Sequence, residues 1–400
     1  MIPFIKKIYH RAEALLATLM YNFPSRNLHV IGVTGTDGKT TTSHLIYHIL
    51  KESDKQVSII SSIYADIGGR IYDTGLHFTT PRAWRVQRFL HRAVKAGSRY
   101  FVLETTSHAI YQDRVYGVEY AVSVMTNVTP EHLYHHASFD QYLAIKTELM
   151  KRSRSSFLNL DMKAFDQVRK SLDDAGKSYK TYSVSNNNAD VVWNDMIQTR
   201  LEGDYNRENI MAAYAVCLEL GLSKKEILTA IKSFTLPKGR YDIVQKDPFE
   251  IIIDFAHTSN SIGRLLGSIR KTHPKGNIIH VFGAASQRDD SKRPEMGRES
   301  GTYADSVILT EEDYRNESVE KICNEIAVGL EEKGFTKVAL HELGKETKSY
   351  STISDRQDAI AKAIAIAKPG DVVVLTGKGH EKSLNRKGKE HEWDEYKQWK

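Results

Sequence analysis

Short apolar, β-branched runs alternate along this chain with segments whose apolar positions recur at helical spacing. The first run, 29–34, leads into Ser43-His44-Leu45-Ile46-Tyr47-His48-Ile49-Leu50, a helical pattern. Strand-like runs follow at 57–60, 100–103 and 121–125, with a helix at 84–96 among them. Further strands are predicted at 156–160, 180–184 and 190–193, then two helices at 207–220 and 224–234. Residues 236–240, Leu-Pro-Lys-Gly-Arg, read as a hinge. A second alternating series runs through 250–254, 259–272, 277–282, 305–309, 319–333, 356–367 and 371–375. Alternation of this kind predicts an α/β fold, a mostly parallel sheet with ligands at the strand carboxyl ends. The expected organisation is a lead-in at 1–28, a P-loop-type central domain at 29–237 and a Rossmann-like C-terminal domain at 238–400.

The two ends of the chain break the alternation. Residues 4–20 form an amphipathic helix stopped before Pro24; charges through Glu13 and the lack of a small-residue cleavage site argue against a signal peptide. Packing on the first domain is its expected role, with partner docking or a membrane surface as the alternative. The chain stops soon after the polar stretch 382–400, and its last residues are expected to fray.

Composition narrows the function classes. Four hundred residues suit two or three domains. The net charge of +6 is small for that length, and no dense basic block with interleaved aromatics points to nucleic acid. A mild basic excess suits a protein that handles ATP and other anions. Cys217 and Cys323 lie far apart in helical patterns, which leaves no disulfide framework or zinc ribbon and implies a reducing, cytoplasmic setting. No apolar stretch is long enough to span a bilayer.

The chemistry concentrates at the first strand–helix junction, Gly32-Val33-Thr34-Gly35-Thr36-Asp37-Gly38-Lys39-Thr40-Thr41. Gly35 and Gly38 let the backbone curl so that N–H groups face an anion at a helix N-terminus. Lys39 would neutralise β and γ phosphates, and the Thr40 hydroxyl would ligate Mg²⁺. The strict phosphate-loop pattern wants its first glycine at 33, which is valine here, with Gly32 one residue early. Glu104 ends one predicted strand, and Met125-Thr126-Asn127-Val128-Thr129-Pro130-Glu131-His132 follows the next. A carboxylate and an imidazole there can hold a second divalent cation, Mg²⁺ or Mn²⁺. Taken singly, each is as well explained by a helix cap or a surface histidine.

The loop at 32–41 resembles the ATP loop of the Mur ligases, and several motifs resemble their third-residue-adding branch, MurE. They are Thr79-Thr80-Pro81, 104–114, 127–132, Ala144-Ile145-Lys146, 206–209, Asp254-Phe255-Ala256-His257-Thr258, Lys292-Arg293-Pro294-Glu295-Met296-Gly297 and Gly377-Lys378-Gly379-His380-Glu381, in family order. The resemblance implies an ADP-forming amide ligase that works through an acyl phosphate, with closure of the last domain excluding water. By resemblance, Lys39 and Thr40 bind ATP phosphates and Mg²⁺, and Glu104 and His132 ligate two metals. Lys146 matches a carbamylated lysine; from the residues alone it is only a lysine on a helix. Gly35, Thr36, Asp37, Gly38, Thr41, Asn206, Asn209, Arg240 and Asp254 match nucleotide contacts. Thr79, Thr80, Thr106, Gln112 and Arg114 match acceptor positions, Thr105-Thr106 replacing the usual serine-like pair. His257, Arg288, Asp313, Arg315, Gly377 and Glu381 match substrate positions on the amino-acid side. The implied partners are a small precursor and an amino acid, without nucleic acid, and the chain is expected to act as a monomer.

Two departures remain. The family's uridine-gripping N-terminal domain needs on the order of a hundred residues, and only 28 residues precede the phosphate-loop strand. The grip is expected to be absent, rebuilt from the first helix, or supplied by another chain. Diaminopimelate-adding members usually carry Asp-Asn-Pro-Arg where this chain has Glu312-Asp313-Tyr314-Arg315. Arg315 can pair with a carboxylate, while the added charge at Asp313 tilts the expectation toward a cationic amino acid such as lysine, unless Asp313 simply pairs with Arg315. Other acceptors in the superfamily, of pseudomurein-peptide or folylpolyglutamate type, and a non-catalytic nucleotide-binding scaffold are the competing readings.

Overall fold

The computed structural model describes residues 2–75, 79–129, 138–287 and 290–399, with side chains from residue 7 onward. The chain divides into two compact units, 1–235 and 236–400, with the boundary at the start of the stretch read as a hinge.

In the first unit the strands are β1 (His29–Thr34), β2 (Val57–Ile60), β3 (Ala65–Ile67), β4 (Arg70–Tyr72), β5 (Tyr100–Glu104), β6 (Tyr120–Met125), β7 (Ser153–Asn159), β8 (Lys180–Ser183) and β9 (Val191–Val192). Their order is β4-β3-β2-β5-β1-β6-β7-β8-β9. Pairing is parallel except for β2–β3 and β3–β4, the edge that lacks sequence signal because its strands have three residues each. The helices are α1 (Ile2–Met20), α2 (Lys39–Glu52), α3 (Ala83–Lys95), α4 (Ser107–Tyr111), α5 (Phe139–Arg152), α6 (Phe165–Asp173), α7 (Asp204–Glu219) and α8 (Lys224–Ser233). Strand β1 lies between β5 and β6, so the phosphate loop after it is flanked by the carboxyl ends of both. Val30, Ile31 and Val33 are fully buried. A Cβ on Gly32 would come 2.8 Å from the Tyr120 ring, so this glycine serves strand packing, and the glycines of the loop itself, with positive φ, are Gly35 and Gly38.

The second unit holds β10 (Asp242–Gln245), β11 (Glu250–Ile253), β12 (Ile278–Phe282), β13 (Ser306–Leu309), β14 (Thr336–Lys337), β15 (Ser349–Thr352) and β16 (Val372–Leu375), in the order β10-β11-β16-β12-β13-β15-β14. Within this sheet, among the described residues, only β10–β11 is antiparallel. Around it run α9 (Ser259–Thr272), α10 (Lys292–Tyr303), α11 (Val319–Glu331) and α12 (Arg356–Ile366). Helix α10 sits close on α11, since a Cβ on Gly297 would lie 2.0 Å from the Ile326 carbonyl oxygen.

The polar stretch from 382 is not a fraying tail. It forms an antiparallel hairpin, β17 (Ser383–Arg386) with β18 (Lys389–Glu392), and a last turn, α13 (Glu395–Gln398). Glu395 and Arg356 are both fully buried and paired, and Trp393 donates to the same carboxylate at 2.7 Å. The anchoring is a long-range charge pair, which periodicity along the chain does not reveal. No described helix is long and apolar enough to cross a membrane.

Candidate functional site

In the first unit, the loop from β1 to α2 curls through Gly35 (φ 153°) and Gly38 (φ 80°). Added Cβ atoms would lie 1.9 Å from Thr126 Oγ1 and 2.2 Å from Asn209 Oδ1, so neither position admits a side chain. The end of the neighbouring strand β6 fixes the loop. Asn127 Oδ1 accepts the Asp37 N–H at 2.9 Å, and Thr126 Oγ1 donates to the Asp37 carbonyl at 2.6 Å. Lys39 Nζ donates to the Thr36 carbonyl at 2.7 Å, and Thr41 is buried in the first turn of α2.

The Thr40 hydroxyl donates to Glu104 Oε1 at 3.0 Å and meets Ser62 Oγ at 2.9 Å, while the Ser62 N–H donates to Glu104 Oε2 at 2.9 Å. Thus the ends of β1, β2 and β5 bring a hydroxyl pair and a carboxylate together beside the helix N-terminus. These are hard oxygen donors, the set that Mg²⁺ or Mn²⁺ takes. Sequence reasoning missed Ser62, which lies in a loop with no motif of its own. His132 lies outside the described residues.

Lys146 on α5 is the largest departure from expectation based on residue type. It is buried, its Nζ donates to the Gly35 carbonyl at 2.5 Å, and it stands 4.6 Å from the Tyr142 ring centroid. Burial first, and the nearby Lys39 charge second, hold its ammonium well below the usual lysine range. Tyr142 in turn meets Thr36 Oγ1 at 3.2 Å.

Asn206 and Asn209 on α7 reach the back of the loop. Asn209 Oδ1 accepts from Thr42 at 3.3 Å, and its amide meets Asn206 Oδ1 at 3.4 Å. On the other side of Glu104, Thr80 Oγ1 donates to the Glu104 carbonyl at 2.9 Å and accepts the Thr106 N–H at 3.2 Å. Arg114 donates twice to Gln112 Oε1, at 2.9 and 2.7 Å, and once to the Thr80 carbonyl at 2.8 Å. Thr80, Thr106, Gln112 and Arg114 therefore form one connected polar wall, and Thr79 adjoins it.

The second unit gathers its own group at the carboxyl ends of β11, β13 and β16. Asp254 accepts the N–H groups of Tyr241 and Ala256 at 2.7 and 2.6 Å. Arg240 reaches His380 Nδ1 at 3.3 Å and lies over the Phe255 ring, which also contacts His257. His257 Nδ1 lies 2.8 Å from the Phe255 carbonyl, which makes Nδ1 the donor.

Asp313 and Arg315 do not form the simple side-chain pair weighed from sequence. Asp313 Oδ1 accepts from Lys378 Nζ at 3.0 Å and from the Asn385 N–H at 2.9 Å. Arg315 donates to the Ser286 and Asp313 carbonyls at 2.6 and 3.3 Å. Lys378 also donates to Glu381 Oε2 at 2.5 Å. Asp313 is therefore already countered by a buried lysine, which weakens it as the carboxylate that would select a cationic amino acid. Arg288 lies outside the described residues.

Glu312, absent from the sequence-based site, lies beside Asp313 and Gly377. It is buried, its Oε2 has no hydrogen-bond partner among the described residues, and a Cβ on Gly377 would stand 3.0 Å from it. Burial first, then Asp313, raises this carboxyl to about 7. Its exchange for the usual aspartate looks conservative in sequence, which is why it drew no attention. Arg293 of the 292–297 motif, by contrast, is structural: it is buried against Glu317 at 2.9 and 2.8 Å and Glu325 at 2.5 Å.

Comparison with known proteins matches both units. Residues 33–217 match the family described as Mur ligase middle domain, and 239–379 that described as Mur ligase, glutamate ligase domain. A UDP-N-acetylmuramyl-tripeptide synthetase of Deinococcus radiodurans is 35% identical over 407 residues, covering 96% of this chain and 80% of that protein. The UDP-N-acetylmuramoyl-L-alanyl-D-glutamate--2,6-diaminopimelate ligase 1 of Clostridium acetobutylicum is 31% identical over 393 residues, covering 93% of this chain and 77% of its own length. A solved structure of a UDP-N-acetylmuramoyl-L-alanyl-D-glutamate--2,6-diaminopimelate ligase superposes with TM-score 0.58 at 27% identity, over 92% of this chain and 76% of that one. A bifunctional folylpolyglutamate synthase/dihydrofolate synthase of Yersinia pestis, solved with AMPPNP and Mn, shares the fold at TM-score 0.73 and 17% identity, over 92% and 90% of the two chains.

Proposed function

The chain belongs to the Mur ligase family, and on that premise we propose that it joins a diamino acid to the terminal carboxylate of a muramoyl-dipeptide acceptor. It is an ATP-dependent, ADP-forming amide ligase of the MurE type. The observation that carries the assignment of its centre is the convergence of Thr40, Ser62 and Glu104 beside a phosphate loop fastened by Asn127 and Lys146.

Gly35 to Thr41 would take the ATP phosphates through backbone N–H groups and Lys39, with Asn206, Asn209, Arg240 and Asp254 as further nucleotide contacts. Thr40 and Glu104, together with His132 and Lys146 as its carbamate, would hold Mg²⁺ at two sites, with Mn²⁺ able to substitute; bound there it supplies positive charge to phosphate oxygens. The acceptor carboxylate takes the γ-phosphoryl group and becomes an acyl phosphate; the amine then forms the amide and inorganic phosphate leaves. The wall of Thr79, Thr80, Thr106, Gln112 and Arg114 would orient the acceptor, Arg114 supplying a planar donor pair for a carboxylate.

On the amino-acid side, Glu312 and Glu381 stand with Asp313 and the buried Lys378, a set of both charges suited to a substrate that carries an ammonium and a carboxylate; Arg288 and Arg315 would meet its carboxylates, with His257 and Gly377 shaping the pocket. The reading places a monomer in the cytoplasm. Its test is phosphate release with UDP-N-acetylmuramoyl-L-alanyl-D-glutamate present, scanned over lysine, meso-diaminopimelate, ornithine and neutral amino acids. Turnover that requires the acceptor and one diamino acid is the expected result. Silence with every amino acid, while ATP still binds, overturns the acceptor assignment.

A further inference from the structure

Three buried side-chain oxygens without a hydrogen-bond partner among the described residues belong to residues grouped around Asp313: Glu312 Oε2, Ser286 Oγ and Asn385 Oδ1. Glu312 precedes Asp313 in the chain, and its carboxyl faces Gly377. The Ser286 N–H donates to the Asp313 carbonyl at 3.0 Å, and the Asn385 N–H donates to Asp313 Oδ1 at 2.9 Å. Asn385 belongs to the hairpin strand β17, and its carbonyl accepts the Arg315 N–H at 3.2 Å. A single β-bridge between Arg315 and Arg386 continues the join. The C-terminal hairpin is therefore built into the group around Asp313 through its backbone.

The Asn385 side chain is oriented by its own amide. Nδ2 donates to Glu390 Oε1 at 2.6 Å, so the oxygen left over is an acceptor. Ser286 likewise spends its backbone, its carbonyl accepting from Arg315 at 2.6 Å, and keeps its hydroxyl. Buried polar atoms are ordinarily paired, because desolvation without a partner is unfavourable. Three acceptors around one residue match the three N–H donors of a primary ammonium. A carboxylate would meet Glu312 and Asn385 acceptor to acceptor. A divalent cation would find one carboxylate among the three oxygens, with the Lys378 and Arg315 charges close by.

We propose that Asn385 and Ser286, neither of which the ligase assignment uses, complete with Glu312 a seat for the side-chain ammonium of the incoming amino acid. Each oxygen accepts one N–H, and the Glu312 carboxylate supplies the opposite charge. Asp313, engaged by Lys378 and the Asn385 N–H, holds the seat together rather than filling it. The inference rests on the reading of this group as the amino-acid side of the ligase site. An ordered water held by the same oxygens is the competing occupant.

Calorimetric titration of the full chain, with AMPPNP, Mg²⁺ and UDP-N-acetylmuramoyl-L-alanyl-D-glutamate present, tests this. Lysine and meso-diaminopimelate are compared with norleucine, the lysine skeleton without its side-chain ammonium. One of the two diamino acids is expected to bind more tightly than norleucine. Ser286→Ala and Asn385→Leu should each weaken that amino acid about tenfold and leave norleucine unchanged. Thermal melts check folding; Ser286→Ala removes only a hydroxyl, so it decides the matter where Asn385→Leu loosens the hairpin. Diamino-acid binding that is absent, or no tighter than that of norleucine, overturns the seat, as expected if the oxygens hold only a water. Binding or turnover of a diamino acid with its preference intact in both variants also overturns it, and leaves the ligase reading standing. The acceptor reading fails separately, with the seat upheld, if both variants weaken diamino-acid binding but no amino acid supports phosphate release.

Discussion

The Lys146 ammonium donates to the carbonyl of Gly35 at 2.5 Å, which ties helix α5 to the phosphate loop from inside the protein. Desolvation first and the Lys39 charge second lower the proton affinity of this buried lysine, which favours the neutral amine over the ammonium. The neutral amine is the form that takes up carbon dioxide to become a carbamate. Replacing it should separate fold from chemistry.

Lys146→Ala is expected to lower amide formation by about a hundredfold or more, on the scale of losing a positioned electrostatic group. Short-chain carboxylates should restore part of the rate, because they supply the missing carboxylate. ADP release with and without formate or acetate measures both effects. A full-strength variant would show that no carbamate is needed.

At the loop itself, Lys39→Ala should abolish ATP turnover, and Glu104→Gln should raise the Mg²⁺ concentration needed for half-maximal rate. Glu104→Gln keeps the oxygen that accepts from Thr40 but removes the charge that a divalent cation requires. Titrating Mg²⁺ in the ADP-release assay reads the second effect. Retained turnover in the first variant would remove the phosphate-loop assignment.

Asp313 tests amino-acid choice. Since Lys378 and the Asn385 N–H already engage its carboxylate, Asp313→Asn should leave Lys378 with Glu381 as its one anionic partner of the two and bias the pocket toward substrates with an added carboxylate. The ratio of kcat/KM for meso-diaminopimelate over lysine is expected to rise severalfold. An unchanged ratio would move selectivity to Glu312 and Glu381.

Much of this was legible in the sequence, and the exceptions share a cause. The alternating runs gave the parallel strands and their order along the chain because each buried strand needs only a local apolar signature. Glycines and Lys39 were legible because a phosphate loop is contiguous. Ser62, by contrast, reaches Glu104 only through the sheet, and the burial of Lys146 is set by α5 packing on the loop. The C-terminal hairpin was misread because Arg356 and Glu395, 39 positions apart, make their pair in three dimensions.

That pair carries a stability prediction. Glu395→Leu leaves the Arg356 guanidinium buried without its main partner, at a cost of about 3–5 kcal/mol. The double variant Arg356→Met/Glu395→Leu should recover most of it, because two apolar groups replace two desolvated charges. Hydrogen exchange of the β16 amides in urea reports the second unit separately from the first. Equal destabilisation in single and double variants would mean that the arginine matters through its carbonyl contacts, to Thr376 at 2.7 Å and Glu311 at 3.5 Å.

Glu312 gives the pH dependence. In the fold its carboxyl is raised from the ordinary 4.5 to about 7. Below pH 4.5 both folded and unfolded chains hold the proton, so the group makes no difference. As pH rises from there, the unfolded chain gives the proton up first, and the folded state loses stability until its own group ionises near 7. A displacement of this size is worth on the order of 3 kcal/mol. Glu312→Gln, which cannot ionise, should therefore match the wild type at pH 4.5 and be more stable at pH 8. Thermal melts of both proteins across that range measure the difference. A gap that does not widen with pH would mean that Glu312 ionises as readily in the fold as in the unfolded chain.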